Sequence, residues 1–328
     1  MHVKKVGRQL TGQSGLKEEF FWLNANPPLH ELMERYPIEW QQVGPKLVAS
    51  LEGGGVHMLK GFATEAKSLE KTWTDQLRKN RNNQKTLQAA LPFLIRSRMS
   101  LLAVDKCLFS AATGVVTGSV RFNWFNGYVM QKLLFRRDLI RKPVSLRWFR
   151  FWWRVNSQKR ILMPLVQKKG IYCFYSRALI KALAEMIGER SCLEIAAGDG
   201  TLSRFLAEEG VSVTATDNQS WQHAIDYPDA VQHMEAKQAL QQHHPQVVVC
   251  SWPPPGNNFE RQVFSTKSVQ LYMVIGSRYH FASGNWGDYA KQGNFDYTID
   301  PVLSRFVVPP ELESAVIIFR KKSLRHMF

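Results

Sequence analysis

Residues 193–200 read Leu-Glu-Ile-Ala-Ala-Gly-Asp-Gly. Two glycines spaced by one residue let a backbone bend sharply and pass close to a ligand. The run from Cys192 to Ala196 predicts a short apolar strand before the turn, and Leu202 to Glu209 a helix after it. Asp217 closes the next apolar strand, about 20 residues downstream, where a carboxylate can accept hydrogen bonds from two ribose hydroxyls. The chemistry implied is recognition of a nucleoside at the carboxyl end of a strand.

Two nucleotide readings compete. A dinucleotide site needs a third small residue after the second glycine, and Ser203 could supply it. Such a site sets pyrophosphate on the helix N-terminus, which would bring the acidic Asp199 against the phosphates and leave Glu194 out of place inside the first strand. A site for S-adenosylmethionine has no phosphate and must hold a cationic sulfonium and amine, which acids in and beside the turn favour. Here the chain resembles the Rossmann-like (class I) S-adenosylmethionine-dependent methyltransferases, whose first motif reads hydrophobic, Asp/Glu, hydrophobic, Gly, x, Gly, x, Gly. The match is Glu194, Gly198 and Gly200, with Asp217 as the second-strand acid; Ala196 stands where the first glycine is usual. The resemblance spans roughly 175–322. It implies S-adenosylmethionine as cofactor, held by Glu194, Ala196, Gly198, Gly200 and Asp217. By the same resemblance Glu235 is a candidate for the adenine amino group, against the plainer reading of a solvated loop glutamate; Asn218, directly after Asp217, is a candidate for the base edge, and Trp221 a stacking or a core residue.

Ser251-Trp252-Pro253-Pro254-Pro255 leaves a further apolar strand on the same face. It is similar to the Asp/Asn/Ser-Pro-Pro-aromatic loop of methyltransferases that act on nitrogens, where a polar side chain and a proline-fixed carbonyl orient the amine lone pair. Trp252 interrupts the pattern and no aromatic follows the prolines, so Ser251, Trp252, Pro253 and Pro254 are expected first as acceptor-side pocket wall. His280 follows the next strand and is a candidate base or substrate contact, against the plainer reading of a packed surface histidine. Residues 281–306 read as a long irregular stretch of the kind that serves as a lid.

Positioning these residues requires alternating strands and helices. Helix is expected at Arg177 to Ile187, and strands at Val211 to Thr216, Val247 to Cys250, Val269 to Ile275 and Ala315 to Phe319. The fold class is therefore α/β, a Rossmann-like methyltransferase domain over 176–328. Residues 1–175 lack this rhythm and read as a mostly helical basic region. Helices are expected at Leu29 to Glu39, Ala63 to Ala90 and Leu101 to Phe109, with a break near Asn80 to Gln84 and a turn or joint at Gly53–Gly55.

The 328 residues carry a formal charge of +16, and the excess lies in the first half: 29 basic against 11 acidic residues up to Tyr175, 14 against 16 after it. Between Gln131 and Lys169 twelve Lys or Arg accompany one acid and several aromatics. On a helix from Val144 to Val155, Arg147, Arg150 and Arg154 would fall in a stripe roughly 60° wide, with apolar residues over most of the rest. A largely buried helix with an arginine edge is expected, suited to RNA or another acidic partner or to ordinary ion pairing. Four cysteines without CxxC spacing suggest neither disulfides nor a metal site, and a reducing cytoplasmic compartment is expected. The longest apolar candidate, near Leu101 to Val120, carries Asp105 and Lys106, so no membrane-spanning segment is expected.

Overall fold

The computed structural model describes residues 13–80, 83–110, 124–156, 159–167, 169–221 and 225–322. The chain forms two compact units, 1–108 and 109–328. The first contains helices α1 (Gln13–Asn24), α2 (Leu29–Arg35), α3 (Pro37–Lys79) and α4 (Gln84–Ser110). Gly53–Gly55 lies inside α3 rather than in a turn, and α3 continues through the residues expected to end an earlier helix. The break at Asn80 to Gln84 is where α3 ends and α4 begins. Trp73 stacks on Phe93 at 4.8 Å, and Ala90, Leu91, Ile95 and Met99 of α4 are buried. Over Gln84–Asp105 this helix is long and apolar enough, by length and composition alone, to cross a bilayer. This stretch is 44% buried within the protein and carries Arg96 and Arg98 at mid-length.

The second unit opens with α5 (Trp124–Leu134), α6 (Leu146–Val155) and α7 (Lys159–Gln167). It continues through β1 (Phe174–Tyr175), α8 (Arg177–Ile187), β2 (Cys192–Glu194), α9 (Thr201–Glu208), β3 (Val213–Asp217), β4 (Val231–His233), α10 (Ala236–His243) and β5 (Val247–Ser251). Then come α11 (Glu260–Ser265), β6 (Leu271–Ser277), α12 (Trp286–Lys291), β7 (Phe295–Asp300), α13 (Pro301–Ser304), β8 (Val307–Val308) and β9 (Ser314–Lys321). Seven strands form one sheet in the order β4-β3-β2-β5-β6-β9-β7, with β1 and β8 paired separately. The first five of these run parallel, and β9 is antiparallel to both neighbours. The chain moves outward from β2 to β4, then returns to β5 on the other side of β2. That reversal makes the carboxyl ends of β2 and β5 the binding crevice of a doubly wound sheet. The architecture is the Rossmann-like α/β fold.

Buried residues of α5–α7, among them Leu134, Phe149, Trp153 and Met163, share one core with Leu179, Leu183, Phe205 and Ile275. The compact unit therefore begins at 109, not 176, because the segment before Tyr175 packs on the sheet's helices. Nor is 281–306 a long irregular stretch. It contains α12, β7 and α13, tied down by Glu260, which is fully buried and accepts hydrogen bonds from Tyr272 Oη (2.6 Å), Tyr289 Oη (2.5 Å) and the Asn285 amide (2.9 Å). Burial raises the Glu260 carboxyl above its ordinary range despite these donors.

Candidate functional site

The turn after β2 bends by three left-handed residues in alternation: Ala196 (φ +50°), Gly198 (φ +56°) and Gly200 (φ +66°). Gly200 is required twice over, since a Cβ there would also lie 2.7 Å from Val231 Cγ2. Ala196 adopts the backbone a glycine would adopt without strain, at a cost of about 1–2 kcal/mol for an L-residue. Ala196→Gly should therefore stabilise the protein by about 0.5–1 kcal/mol after the loss of chain stiffness in the unfolded state. Urea midpoints of variant and parent measure this, and an unchanged or lower midpoint would show the turn to be unstrained.

Three amides of this turn are already committed. Ala197 donates to Thr216 O (3.0 Å), Gly198 to Asp217 Oδ2 (2.9 Å) and Gly200 to Ala197 O (3.0 Å). In the first turn of α9, Thr201 donates to Asp199 Oδ1 (3.1 Å) and Ser203 to Glu194 Oε2 (2.9 Å). Glu194, 1% exposed, also accepts from Ser203 Oγ (2.5 Å). Burial pushes its carboxyl up to about 7, more than the two Ser203 donors pull it down.

Asp199 is not a free negative charge. Arg141 reaches it with Nη2 at 2.6 Å and donates through Nη1 to Cys173 O at 2.9 Å. The arginine is 6% exposed, and its Nε is buried without a partner. Its backbone is fixed by a bridge to Phe135 and by the pairing of Val144 with Ser176. Burial raises the Asp199 carboxyl, but the Arg141 charge and the Thr201 hydrogen bonds outweigh it and hold it below its ordinary value. Of the two acids at the turn, Asp199 is paired with arginine and Glu194 is buried on Ser203.

Asp217, 7% exposed at the end of β3, also accepts from the Gln219 amide at 2.7 Å. Asn218 Nδ2 lies 3.4 Å from Glu235 Oε1, so the structure brings Asp217, Asn218 and Glu235 to one edge of the crevice. Tyr227 faces Asp217, and burial followed by that charge pushes its hydroxyl up to about 12. Trp221 is half-buried. A cavity of about 790 Å³ is lined by Arg141, Asp199, Gly200, Val213, Ala215 and Val231.

On the other side of the switch point, Ser251 Oγ is 2.7 Å from Tyr175 Oη and 3.9 Å from Cys173 Sγ. Burial raises both the tyrosine and the thiol. Arg141 lies 5.4 Å from the Tyr175 ring centre, linking this cluster to Asp199. Trp252 has φ +57°, a left-handed backbone rare for a bulky residue. Its amide donates to Ile275 O at 2.6 Å, and its indole is 8% exposed with Nε1 unpartnered. Strain of this kind persists where the surroundings impose it and marks functional loops. Pro253 O accepts from the Gly284 amide (2.9 Å), and Pro254 O from Asn257 Nδ2 (2.8 Å). Each carbonyl thus accepts one hydrogen bond from within the protein and keeps a second lone pair.

His280 stacks on Trp286 at 4.1 Å, and burial lowers its pKa. The three arginines of α6 are exposed as expected, but the helix is not largely buried. Only Phe149 and Trp153 are buried, while Trp148, Phe151 and Val155 are 58–62% exposed. Cys173, Cys192 and Cys250 are free and buried. Arg141, Tyr175 and Tyr227 were missed. Nothing in their spacing separates them from neighbouring basic and aromatic residues; only the return of 135–144 onto β1 brings two of them to the turn.

No family model matches the chain, and no curated protein does. Among solved structures the chain is similar to TehB from Haemophilus influenzae, at 15% identity over 44% of this chain and 62% of that one, TM-score 0.30. It is also similar to the 23S rRNA methyltransferase ErmE, at 19% identity over 45% and 69%, TM-score 0.29. A third is magnesium protoporphyrin IX methyltransferase ChlM from Synechocystis PCC 6803 with bound SAM, at 10% identity over 63% and 100%, TM-score 0.34. The matched stretch spans less than two thirds of TehB. Likenesses this remote decide nothing about the site, and the fold assignment rests on the strand order itself.

Proposed function

We propose that the protein is an S-adenosylmethionine-dependent methyltransferase with its cofactor across the β2–β5 switch point. The observation that carries this reading is the hydrogen-bond account of the turn. A pyrophosphate needs open amides at the N-terminus of the helix after β2. Here Asp199 and Glu194 occupy the Thr201 and Ser203 amides, and Asp217 occupies that of Gly198. A nucleoside without phosphates needs none of them. Asp217 retains lone pairs for ribose hydroxyls, Asn218 and Glu235 lie where the base edge would sit, and Asp199, whose side chain keeps 30% of its surface, is the acid beside the turn for the amine of an amino-acid end.

The residues present thus fit the cofactor, which when bound supplies an activated methyl on a cationic sulfur. The chain's own part is to bind, orient and exclude water. Tyr175 fixes the Ser251 hydroxyl, while Trp252 and Pro253, both buried, wall the crevice from solvent beside it. The contribution to rate is proximity and orientation.

Calorimetric titration tests the reading. S-adenosylmethionine should bind, and NAD should bind at least about tenfold more weakly, the equivalent of one lost charge-assisted hydrogen bond. Asp217→Ala should weaken S-adenosylmethionine binding by about 2 kcal/mol. A dinucleotide bound more tightly than S-adenosylmethionine would return the site to hydride-transfer chemistry; equal affinity of the folded variant and the parent would remove Asp217 from it.

A further inference from the structure

α6 faces three ways. Phe149 and Trp153 turn inward and stack at 5.0 Å, Trp148 and Phe151 stand exposed, and the arginines run between. Arg150 and Arg154 form one wall of a cleft of about 560 Å³. Across it stand Arg278, directly after β6, and Arg305, directly after α13. Ser314, which lines the cleft at the start of β9, is 7% exposed and its hydroxyl has no partner.

Two acids share the cleft and both are engaged. Glu311 accepts from Trp153 Nε1 at 2.9 Å, and Glu313 lies 3.8 Å from Arg278. Among the described residues Arg150, Arg154 and Arg305 make no ion pair. Four guanidinium groups against two carboxylates leave the cleft a net positive charge, and with an unused buried hydroxyl around the same concavity they suit a tetrahedral oxyanion, since arginine forks match phosphate oxygens.

The cleft also lies where an acceptor must arrive. Arg278 follows β6, the neighbour of β5 and its Ser251. Val307 and Val308 of its wall pair with β1, whose Tyr175 holds that serine. We propose that the cleft binds the phosphodiester backbone of a single-stranded nucleic acid, the methyl acceptor, with Trp148 and Phe151 as stacking surfaces for its bases. The strand's role as acceptor rests on the methyltransferase reading; its binding does not. An anionic membrane would use the exposed apolar residues of α6, but it has no use for a concave site at the edge of the sheet.

Fluorescence polarisation of the full chain with a short labelled single-stranded RNA, and with DNA of the same sequence, tests the proposal across a salt series. Binding of either strand supports it, with a log–log salt slope of about −2 for three phosphate contacts. In Arg150→Gln/Arg154→Gln the slope should fall to about −0.7, while Trp148→Ala should weaken binding about tenfold at an unchanged slope. Calorimetry should give every variant the parent's S-adenosylmethionine affinity. No binding to either strand, an unchanged slope in the double variant, or binding only to phosphatidylserine vesicles would overturn the cleft assignment and leave the cofactor result standing. A parent that binds the strands but not S-adenosylmethionine would overturn the methyltransferase reading instead.

Discussion

Arg141→Met should cost about 3 kcal/mol of unfolding free energy, read as a shift in the urea midpoint at neutral pH. The arginine is buried and ends on the Asp199 carboxylate and the Cys173 carbonyl. Methionine fills much of the same volume but leaves the carboxylate uncompensated and the carbonyl without its donor. Breaking a buried pair by removing one partner costs about 3–5 kcal/mol. The lower end applies because the Asp199 side chain keeps 30% of its surface and can rehydrate. Arg141→Met/Asp199→Ala should recover much of the loss, since the stranded charge is then gone. If the double variant is less stable than the single one by the full cost of a second site, the two residues act independently. The pair then contributes nothing as a pair.

The sign of the pH effect follows. The Asp199 carboxyl is held below its ordinary value in the fold, so its contribution is present above the unfolded pKa and is lost as pH falls through the folded one. Parent and Arg141→Met should therefore converge in stability on acidification. A constant gap down to the most acid pH at which the parent stays folded would locate the effect in packing instead.

Much of the fold was legible because its signals are local. Arg177–Ile187 matches the expected helix to the residue, since Ser176 caps its N-terminus and Gly188 ends it at φ +60°. The central strands are short apolar runs closed by turn residues, and all five expected ones form, with shifts of one or two residues. What escaped is whatever the sheet's company decides. β7 is mostly exposed, with no apolar run to announce it, and pairs only with β9. β4 has one buried residue of three. Gly53–Gly55 read as a joint because glycine weakens helices, yet α3 runs through it.

The site divides the same way. Gly198, Gly200 and Asp217 were legible because turn geometry and strand length dictate their positions. Arg141 lies 58 residues before Asp199 and was counted only as part of a basic segment. The charge of that segment suggested a partner, but one of its arginines is spent inside the fold. The α6 stripe was placed correctly and its burial was not. Periodicity gives the faces of a helix but not which face the remainder of the protein covers.

Glu194→Gln should leave the protein more stable than the parent at pH 8 and close to equal with it near pH 4. The Glu194 carboxyl rises from an ordinary 4.5 to about 7 on folding, chiefly through burial. A raised folded pKa means that the protonated form is the one the fold favours. Its contribution is full below the unfolded value and is lost as pH rises through about 7. The shift corresponds to about 3–4 kcal/mol at most, taking about 1.4 kcal/mol per pH unit. Glutamine cannot ionise, and its carbonyl can accept from the Ser203 amide and hydroxyl as Oε2 does now. Urea denaturation of both proteins at a series of pH values should show the parent's curve falling away from the variant's between about pH 5 and 8. A parallel pair of curves would mean that Glu194 is ionised in the fold, its charge stabilised by Ser203. If the parent's deficit vanished on adding S-adenosylmethionine at pH 8, the charged carboxylate would be the form the bound cofactor selects. The free protein would then hold in Glu194 a destabilising charge that the ligand relieves.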